Sequence, residues 1–346
     1  MTEPTTLDER VAWALVRAVR PAPGRTFRVH HHPKPAVSLQ VYPSGEWEAS
    51  AVPTAAARQV LDLYLPLQLR ADLVIAQAGQ SLDGRIATPA GHSHYVTGPA
   101  DIRRLHRLRA LVDAVVVGAG TVAADNPRLT VREVEGPNPV RVVIDPRGRL
   151  DASSAVFRDG AAPTIAVRSG GTAAAAACAA RAPDDGPTIG GGLPAGQRRA
   201  GNEPSACEVV AIPAAPTGEL APRDILRALR ERGHRRLLIE GGGVTVSRFL
   251  DARVVDRLHV AVAPLVIGSG PAAFALAPIR TLDEALRPAC RIFRLGADVL
   301  FDLDLAQARG RPGGRVGSLA GTAGISGAET TGSRTEGEPA DPGDRR

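Results

Sequence analysis

Two short runs in this chain of 346 residues finish an apolar, strand-like stretch with glycines and small polar residues. One is LIEGGGVTVSRFL (238–250), in which Glu240 closes the strand, Gly241, Gly242 and Gly243 follow, and an apolar helical period begins near Val244. Backbone amides at a helix N-terminus attract anions, and glycine lets a phosphate approach the main chain closely. Thr245 and Ser247 add hydroxyl donors. The other run, VVVGAGTVAADNP (115–127), repeats the plan with Thr121 and then Asp125 and Asn126. Two such turns after two strands of one parallel sheet would hold the two ends of a dinucleotide, because ligands of open α/β sheets sit beyond the carboxyl ends of the strands. The plainer alternative is a pair of tight turns between packed elements. The 238–250 run has neither the Gly-Lys-Ser/Thr of a P-loop nor the G-x-G-x-x-G spacing.

A third polar segment, SLDGRIATPAGHSHYVTGP (81–99), follows the first apolar run of the central region. Asp83-Gly84 is a turn pair, and Ser93, Tyr95 and Thr97 fall at alternate positions of an extended segment. Metal chemistry is not expected. His92 and His94 stand two apart, His30, His31 and His32 are consecutive, and neither group has further ligands at zinc spacing. The H-x-E and P-C-x-x-C pair of a zinc deaminase is absent. Cys178, Cys207 and Cys290 are far apart and odd in number, the pattern of reduced thiols in a cytoplasmic protein.

The elements that must position these groups alternate between two periods. Apolar runs DLVIAQ, DAVVVG, VRVVID, TIAVR, EVVAI, RLLIE and RLHVAVAPLVIG suit buried strands. Helical patterns lie between several of them: PADIRRLHRLRAL opens with Pro99 in its first turn, and PRDILRALRERG ends on Gly233. That alternation predicts an α/β fold with a mainly parallel central sheet flanked by helices. RIFRLGADVLFDLDL predicts a terminal antiparallel hairpin. Ahead of this body (67–306), residues 1–66 read as a small extension with a helix (LDERVAWALVRAV) and a hairpin turning at Pro43-Ser44-Gly45. Residues 183–204 read as a surface excursion, and 307–346 lose almost every large apolar residue and are expected to be disordered.

Taken together, SLDGRIA, GHSHYVTGP, LRALVDAVVVGAGTVAADNPRLTVR, PVRVVIDPRGRL and LIEGGGVTVSRFL…VVDRLHVAVAPLVIGSG resemble one family over about residues 70–304. It is the reductase domain of bacterial riboflavin-biosynthesis deaminase-reductases, a relative of dihydrofolate reductase. The resemblance implies a dihydrofolate-reductase-like fold and NADPH-dependent reduction of the ribosyl side chain of a 5-phosphoribosylamino pyrimidine to the ribityl form, in a homodimer. It implies substrate contacts from Ser93, Arg109, Leu129, Arg132 and Glu240. On the cofactor side it implies Gly79, Tyr95, Thr121, Asp125 and the loop of Gly242, Gly243, Val244, Thr245, Val246, Ser247 and Arg248. Arg109 and Arg132 would grip the substrate phosphate in a bidentate manner. Glu240 or Asp83 would manage the proton, although Asp83 is equally readable as the residue that shapes its turn. Arg168 and Ser169 are candidates for a 2′-phosphate, and NADPH rather than NADH rests on the resemblance. Two positions depart from the family pattern: Gln77 stands where a lysine is common, and Pro146 where a serine is. Residues 1–66 lack the zinc ligands of a deaminase, so a stand-alone reductase is expected.

Composition narrows the remaining classes. Of 42 basic residues only Lys34 is lysine, which argues against Schiff-base chemistry. The net charge of +6 comes from scattered arginines, and aromatics make up 3%, too few for a single-strand stacking platform, so nucleic acid is not an expected partner. The chain holds no run of about 18 apolar residues, so a membrane span is not expected either. Two other functions stay open at this point: a reductase of the same fold acting on another pyrimidine or a pteridine, and a nucleotide-binding regulatory protein without catalysis.

Overall fold

The computed structural model describes residues 6–20, 24–31, 36–93, 96–170 and 207–306. Tyr95, Cys178, the 183–204 excursion and the 307–346 tail lie outside the described residues.

Strand β1 (Thr6–Leu7) leads into helix α1 (Glu9–Ala18). Asp8 caps that helix, its Oδ1 accepting from the Val11 amide at 2.8 Å, an arrangement generally worth about 1 kcal/mol. The strands β2 (Phe27–His31), β3 (Val37–Val41) and β4 (Trp47–Ala49) form an antiparallel sheet, with the Pro43-Ser44-Gly45 turn joining the last two. Strand β5 (Val52–Pro53) pairs with β1, and α2 (Ala55–Gln68) starts at a Thr54 cap. Trp13 and Tyr64 meet edge to face, with centroids 5.6 Å apart.

Strand β6 (Leu73–Ser81) begins the large sheet and shows why both its faces are covered. Leu73 and Ile75 enter one apolar cluster, Val74 and Ala76 the other, and all four are buried. Successive side chains of a strand point to opposite faces, so an unbroken apolar run needs cover on both. Helix α3 (Pro99–Ala110) then leads to β7 (Ala114–Gly118), α4 (Ala119–Asp125), β8 (Val140–Ile144), α5 (Ala155–Arg158) and β9 (Thr164–Ser169). Strand β10 (Glu208–Ile212), α6 (Pro222–Glu231), β11 (Arg236–Glu240), α7 (Gly243–Asp251) and β12 (Arg257–Ala263) follow. The hairpin of β13 (Ala289–Leu295) and β14 (Asp298–Asp304) ends the described chain.

Among the described residues the sheet order is β10-β9-β8-β7-β11-β6-β12-β14-β13. Every pairing from β10 through β12 is parallel, and β14 runs antiparallel to both its neighbours. The expected α/β sheet and terminal hairpin are both present. Strand β11 is central: it lies between β6 and β7, which the chain lays down first and leaves unpaired with each other.

The N-terminal elements share their core with the sheet. Trp13, Leu15, Leu39, Leu61 and Leu65 belong to the same buried cluster as Ile75, Val115, Leu238 and Leu300. Burying a side chain such as Leu or Ile contributes about 1.5–3 kcal/mol, so this layer stabilises the face from which α3 also packs. Arg236, buried at the start of β11, rivets it: its guanidinium donates to the Leu67 carbonyl at 3.0 Å, to Gln68 Oε1 at 2.7 Å and to the Leu111 carbonyl at 2.9 Å. Helices α6 and α7 cover the opposite face through Ile225, Leu229, Val246 and Phe249.

Candidate active site

Glu240 ends β11 with its side chain 12% exposed. Arg109, from the last turn of α3, meets it with a two-pronged hydrogen bond: Nε donates to Oε2 at 2.9 Å and Nη2 donates to Oε1. The third prong, Nη1, donates to the Thr130 carbonyl at 3.0 Å. Planar guanidinium and carboxylate match in this geometry, which fixes both groups more firmly than a point charge would. Both had been expected on the substrate side, and the structure pairs them with each other.

Arg132 stands close by as a second cation. Its backbone amide donates to His106 Nδ1 at 2.9 Å, and its Nη1 donates to Thr130 Oγ1 at 2.7 Å. Among the described residues no carboxylate lies within ion-pair distance of it. His106 is 2% exposed, and burial, together with the charges of Arg109 and Arg132, pushes its pKa down to about 4. It is therefore a neutral acceptor at physiological pH. The connecting segment is bent to serve this cluster: Asn126 and Leu129 have φ of 41° and 55°, and Leu129 is buried. A left-handed backbone is costly for a leucine, and such costs concentrate at functional sites.

The two glycine turns meet face to face. Thr121 Oγ1, in α4, accepts from the Gly242 amide at 2.9 Å. A Cβ added at Gly118 would lie 2.5 Å from Thr245 Oγ1, so only glycine allows this contact. Helix α7 starts at Gly242 without a side-chain cap, and Val244 in its first turn is 64% exposed. Free first-turn amides with two hydroxyls beside them suit phosphate oxygens. The rest of the 242–248 loop is committed to the fold. Gly243 packs against the Ala272 carbonyl, Val246 is in the core, Ser247 Oγ accepts from the Ala275 amide at 2.8 Å, and Arg248 pairs with Glu219.

Ser93 Oγ donates to Asp125 Oδ1 at 3.1 Å, joining an expected substrate residue to an expected cofactor residue at the rim. Gly79 lies in β6 where Thr97 and Asp101 approach it. Asp83 behaves as an anchor. Ser81 Oγ donates to its Oδ1 at 2.6 Å, and the amides of Ile267 and Gly268 donate at 3.0 and 2.7 Å. The Ser81 hydroxyl first, then these amides, push its pKa down to about 2. An ionised carboxylate so held shapes the turn and is a poor proton donor at neutral pH, which favours the turn-shaping side of the two roles set out for it. The Arg168 guanidinium lies against the turn at Gly148, just past Pro146.

A polar row that sequence reasoning missed crosses the sheet from this site. Register pairs Glu240 with Gln77, Gln77 with His259, His259 with Asp302, and Asp302 with Arg291. Directly paired residues project from the same face, here the face under α3. Arg104, 1% exposed, reaches down from that helix: Nε donates to Asp101 Oδ1 at 2.6 Å, Nη2 donates to Gln77 Oε1 at 3.1 Å, and Nη1 lies 3.2 Å from His259 Nδ1. Arginine only donates, so Nδ1 accepts and the ring proton sits on Nε2, 3.2 Å from Asp302 Oδ1 and off the line of a good hydrogen bond. Burial, opposed by Asp302, holds His259 below its ordinary pKa. For Asp302 burial acts upward, yet the two-pronged hydrogen bond from Arg257, with the His259 ring close by, holds its carboxyl below the usual range. Gln77, a departure from the pattern of the resembled family, thus sits against a guanidinium. No group of three or more His, Cys, Asp or Glu able to hold a metal occurs among the described residues.

A parallel sheet with glycine turns, a helix N-terminus without a side-chain cap and a carboxylate–guanidinium pair at one central strand end is the arrangement of an α/β enzyme, whose ligands bind beyond the carboxyl ends of the strands. Residues 72–301 match the model of the RibD C-terminal domain, and the chain belongs to that family. It is 34% identical over 236 residues to the 2,5-diamino-6-ribosylamino-4(3H)-pyrimidinone 5′-phosphate reductase of Methanothermobacter thermautotrophicus, covering 66% of this chain and 96% of that protein. The enzyme of the same name from Archaeoglobus fulgidus is 31% identical over 205 residues, 56% of this chain and 81% of that one. Among solved structures, Acinetobacter baumannii RibD superposes with a TM-score of 0.51 at 22% identity, covering 72% of this chain and 62% of that one. The deaminase/5-amino-6-(5-phosphoribosylamino)uracil reductase of Thermotoga maritima gives 0.50 at 24%, covering 73% and 63%. This chain spans about three-fifths of each of those two structures, and they support the fold.

Proposed function

We propose that this protein reduces the ribosyl side chain of a 5-phosphoribosylamino pyrimidine to the ribityl form, with NADPH as reductant, in riboflavin biosynthesis. The observation that carries the reading is the pairing of Arg109 with Glu240 at the end of β11, beside the free first turn of α7. Membership of the RibD family and the archaeal reductases named above supply the substrate class.

The residues present fit a pyridine nucleotide. The first turn of α7 with Thr121 and Thr245 would hold its pyrophosphate, with Gly79 and Asp125 nearby and Tyr95 contributing as the family resemblance implies. When bound, the nicotinamide supplies a hydride. The chain's own work is alignment and charge. The ring-opened substrate presents an imine between C1′ and the amine nitrogen; C1′ accepts the hydride and the nitrogen accepts one proton. Holding donor and acceptor in reacting geometry supplies much of the rate. Arg132 grips the phosphate, and Ser93 and Leu129 line the sugar's path. Glu240, kept in place by Arg109, orients the side chain and stabilises the cationic character of the protonated imine. Asp83 holds the 266–268 loop.

The test is oxidation of NADPH followed at 340 nm with two substrates, the diamino pyrimidinone ribosyl phosphate and its deaminated uracil counterpart. Turnover with either supports the reading and shows which form is used. Absence of turnover with both, where NADPH binds, would overturn it. The reading carries with it a cytoplasmic location, checked by cell fractionation, and a homodimer. Strand β13 is one of the two outer strands of the sheet among the described residues, and its Ile292 is 63% exposed, which supports an edge covered by a second copy. Light scattering of the purified chain should give twice the monomer mass.

A further inference from the structure

A cavity of about 120 Å³ lies among α1, α2, α3 and the turn from β13 to β14, and none of its lining residues belongs to the cleft at β11. Four arginines line it, Arg103, Arg104, Arg107 and Arg294, with one acid, Glu9. Two of these cations are already answered. Arg104 is held by Asp101, and Arg107 donates to Glu9 Oε1 at 2.7 Å while lying over the rings of Trp13 and Tyr64. Even so, Arg107 keeps a buried Nε with no hydrogen-bond partner. The other two, Arg103 and Arg294, make no ion pair among the described residues. Tyr64 and Leu295, both buried, contribute apolar surface to the cavity.

Unanswered cations beside low-dielectric surface concentrate field in the space between them, and guanidinium forks match the oxygens of a tetrahedral anion. The volume has room for several waters, hence for one phosphate group, and is too small for a nucleoside. We propose that this pocket binds a phosphate-class oxyanion, either free or as the terminal group of a small phosphorylated metabolite whose remainder stays in solvent. The proposal does not rest on the catalytic reading. The site has a route to the cleft nonetheless: Arg104 lines the cavity and also donates to Gln77, the register partner of Glu240.

Calorimetric titration of the full chain tests it, with inorganic phosphate and ribose 5-phosphate as probes at constant ionic strength in chloride. An Arg132→Gln background removes the cation expected to grip phosphate in the cleft. In that background saturable phosphate binding is expected, and adding Arg103→Ala with Arg294→Ala should weaken it at least tenfold. Both added substitutions are at exposed side chains, and an unchanged melting temperature in chloride verifies the fold. Tighter binding of ribose 5-phosphate than of phosphate would identify the esterified source, and equal binding the free ion. Phosphate binding that the two substitutions leave unaltered, or that chloride matches, would overturn the proposal.

Discussion

Replacing Glu240 by Gln keeps the side chain's shape but removes the charge that Arg109 answers. In the proposed reaction this should lower kcat/KM about 100-fold, close to 2.7 kcal/mol of transition-state stabilisation, with the melting temperature as control for folding. Asp83→Asn should behave differently. Its carboxylate pins Ile267 and Gly268, so the variant should exchange those amides with solvent faster while the pH profile of turnover keeps its shape. A shifted acidic limb in that profile would return Asp83 to the proton-handling role. Glu240 and Thr121 stood out as candidates because one ends a strand and the other lies in the first turn of a helix beside glycines; Asp125 stood out only as the polar end of the second glycine run. Arg104 and His106 were not: among so many arginines, a helical Arg or His looks like one more solvated side chain until the helix is docked.

Helix α3 is the element that couples these residues. Its inward positions supply Asp101, Arg104, His106 and Arg109, all buried. Removing one partner of a buried ion pair generally costs 3–5 kcal/mol, so Arg104→Ala should lose about that much in denaturant unfolding, by stranding Asp101 and His259. A loss under 1 kcal/mol would show that the row is solvated. His106 on the helix and His259 beneath it both have pKa values below the ordinary 6.5, His106 at about 4. As pH falls from about 6.5, the unfolded chain takes up these protons before the folded chain does. Stability is therefore complete above that window and is lost on descending through it. The melting temperature should be lower at pH 5 than at pH 7.5, and a flat profile would contradict the neutral assignment. The strands and helices were legible because period-two and period-3.6 patterns alternate along the chain. The register that lines up Glu240, Gln77, His259 and Asp302 was not, since it depends on which strands become neighbours.

On the scale of the whole molecule, the described residues between 6 and 68 contribute one part of the core. Their Leu, Val and Trp side chains belong to the same buried cluster as Ile75, Val115 and Leu238. A chain lacking residues 6–54 should expose that cluster, and its unfolding by circular dichroism should lose its sharp transition; a retained cooperative transition would refute this. The helix and hairpin of this segment were visible in sequence, but the surface they cover was not, because nothing local records a contact some hundred residues away. The same limit applies to the strand order, with a temporal consequence. Arg235, at the foot of β11, binds Asp72 across 163 residues of chain. Strand β11, which fills the place between β6 and β7, therefore leaves the ribosome long after both of them. Closing so long a loop is entropically slow, and Glu240 arrives on the strand that fills that place. A nascent chain interrupted before that strand would hold both flanking strands and have no reactive centre at all, so competence should switch on in one late step of synthesis.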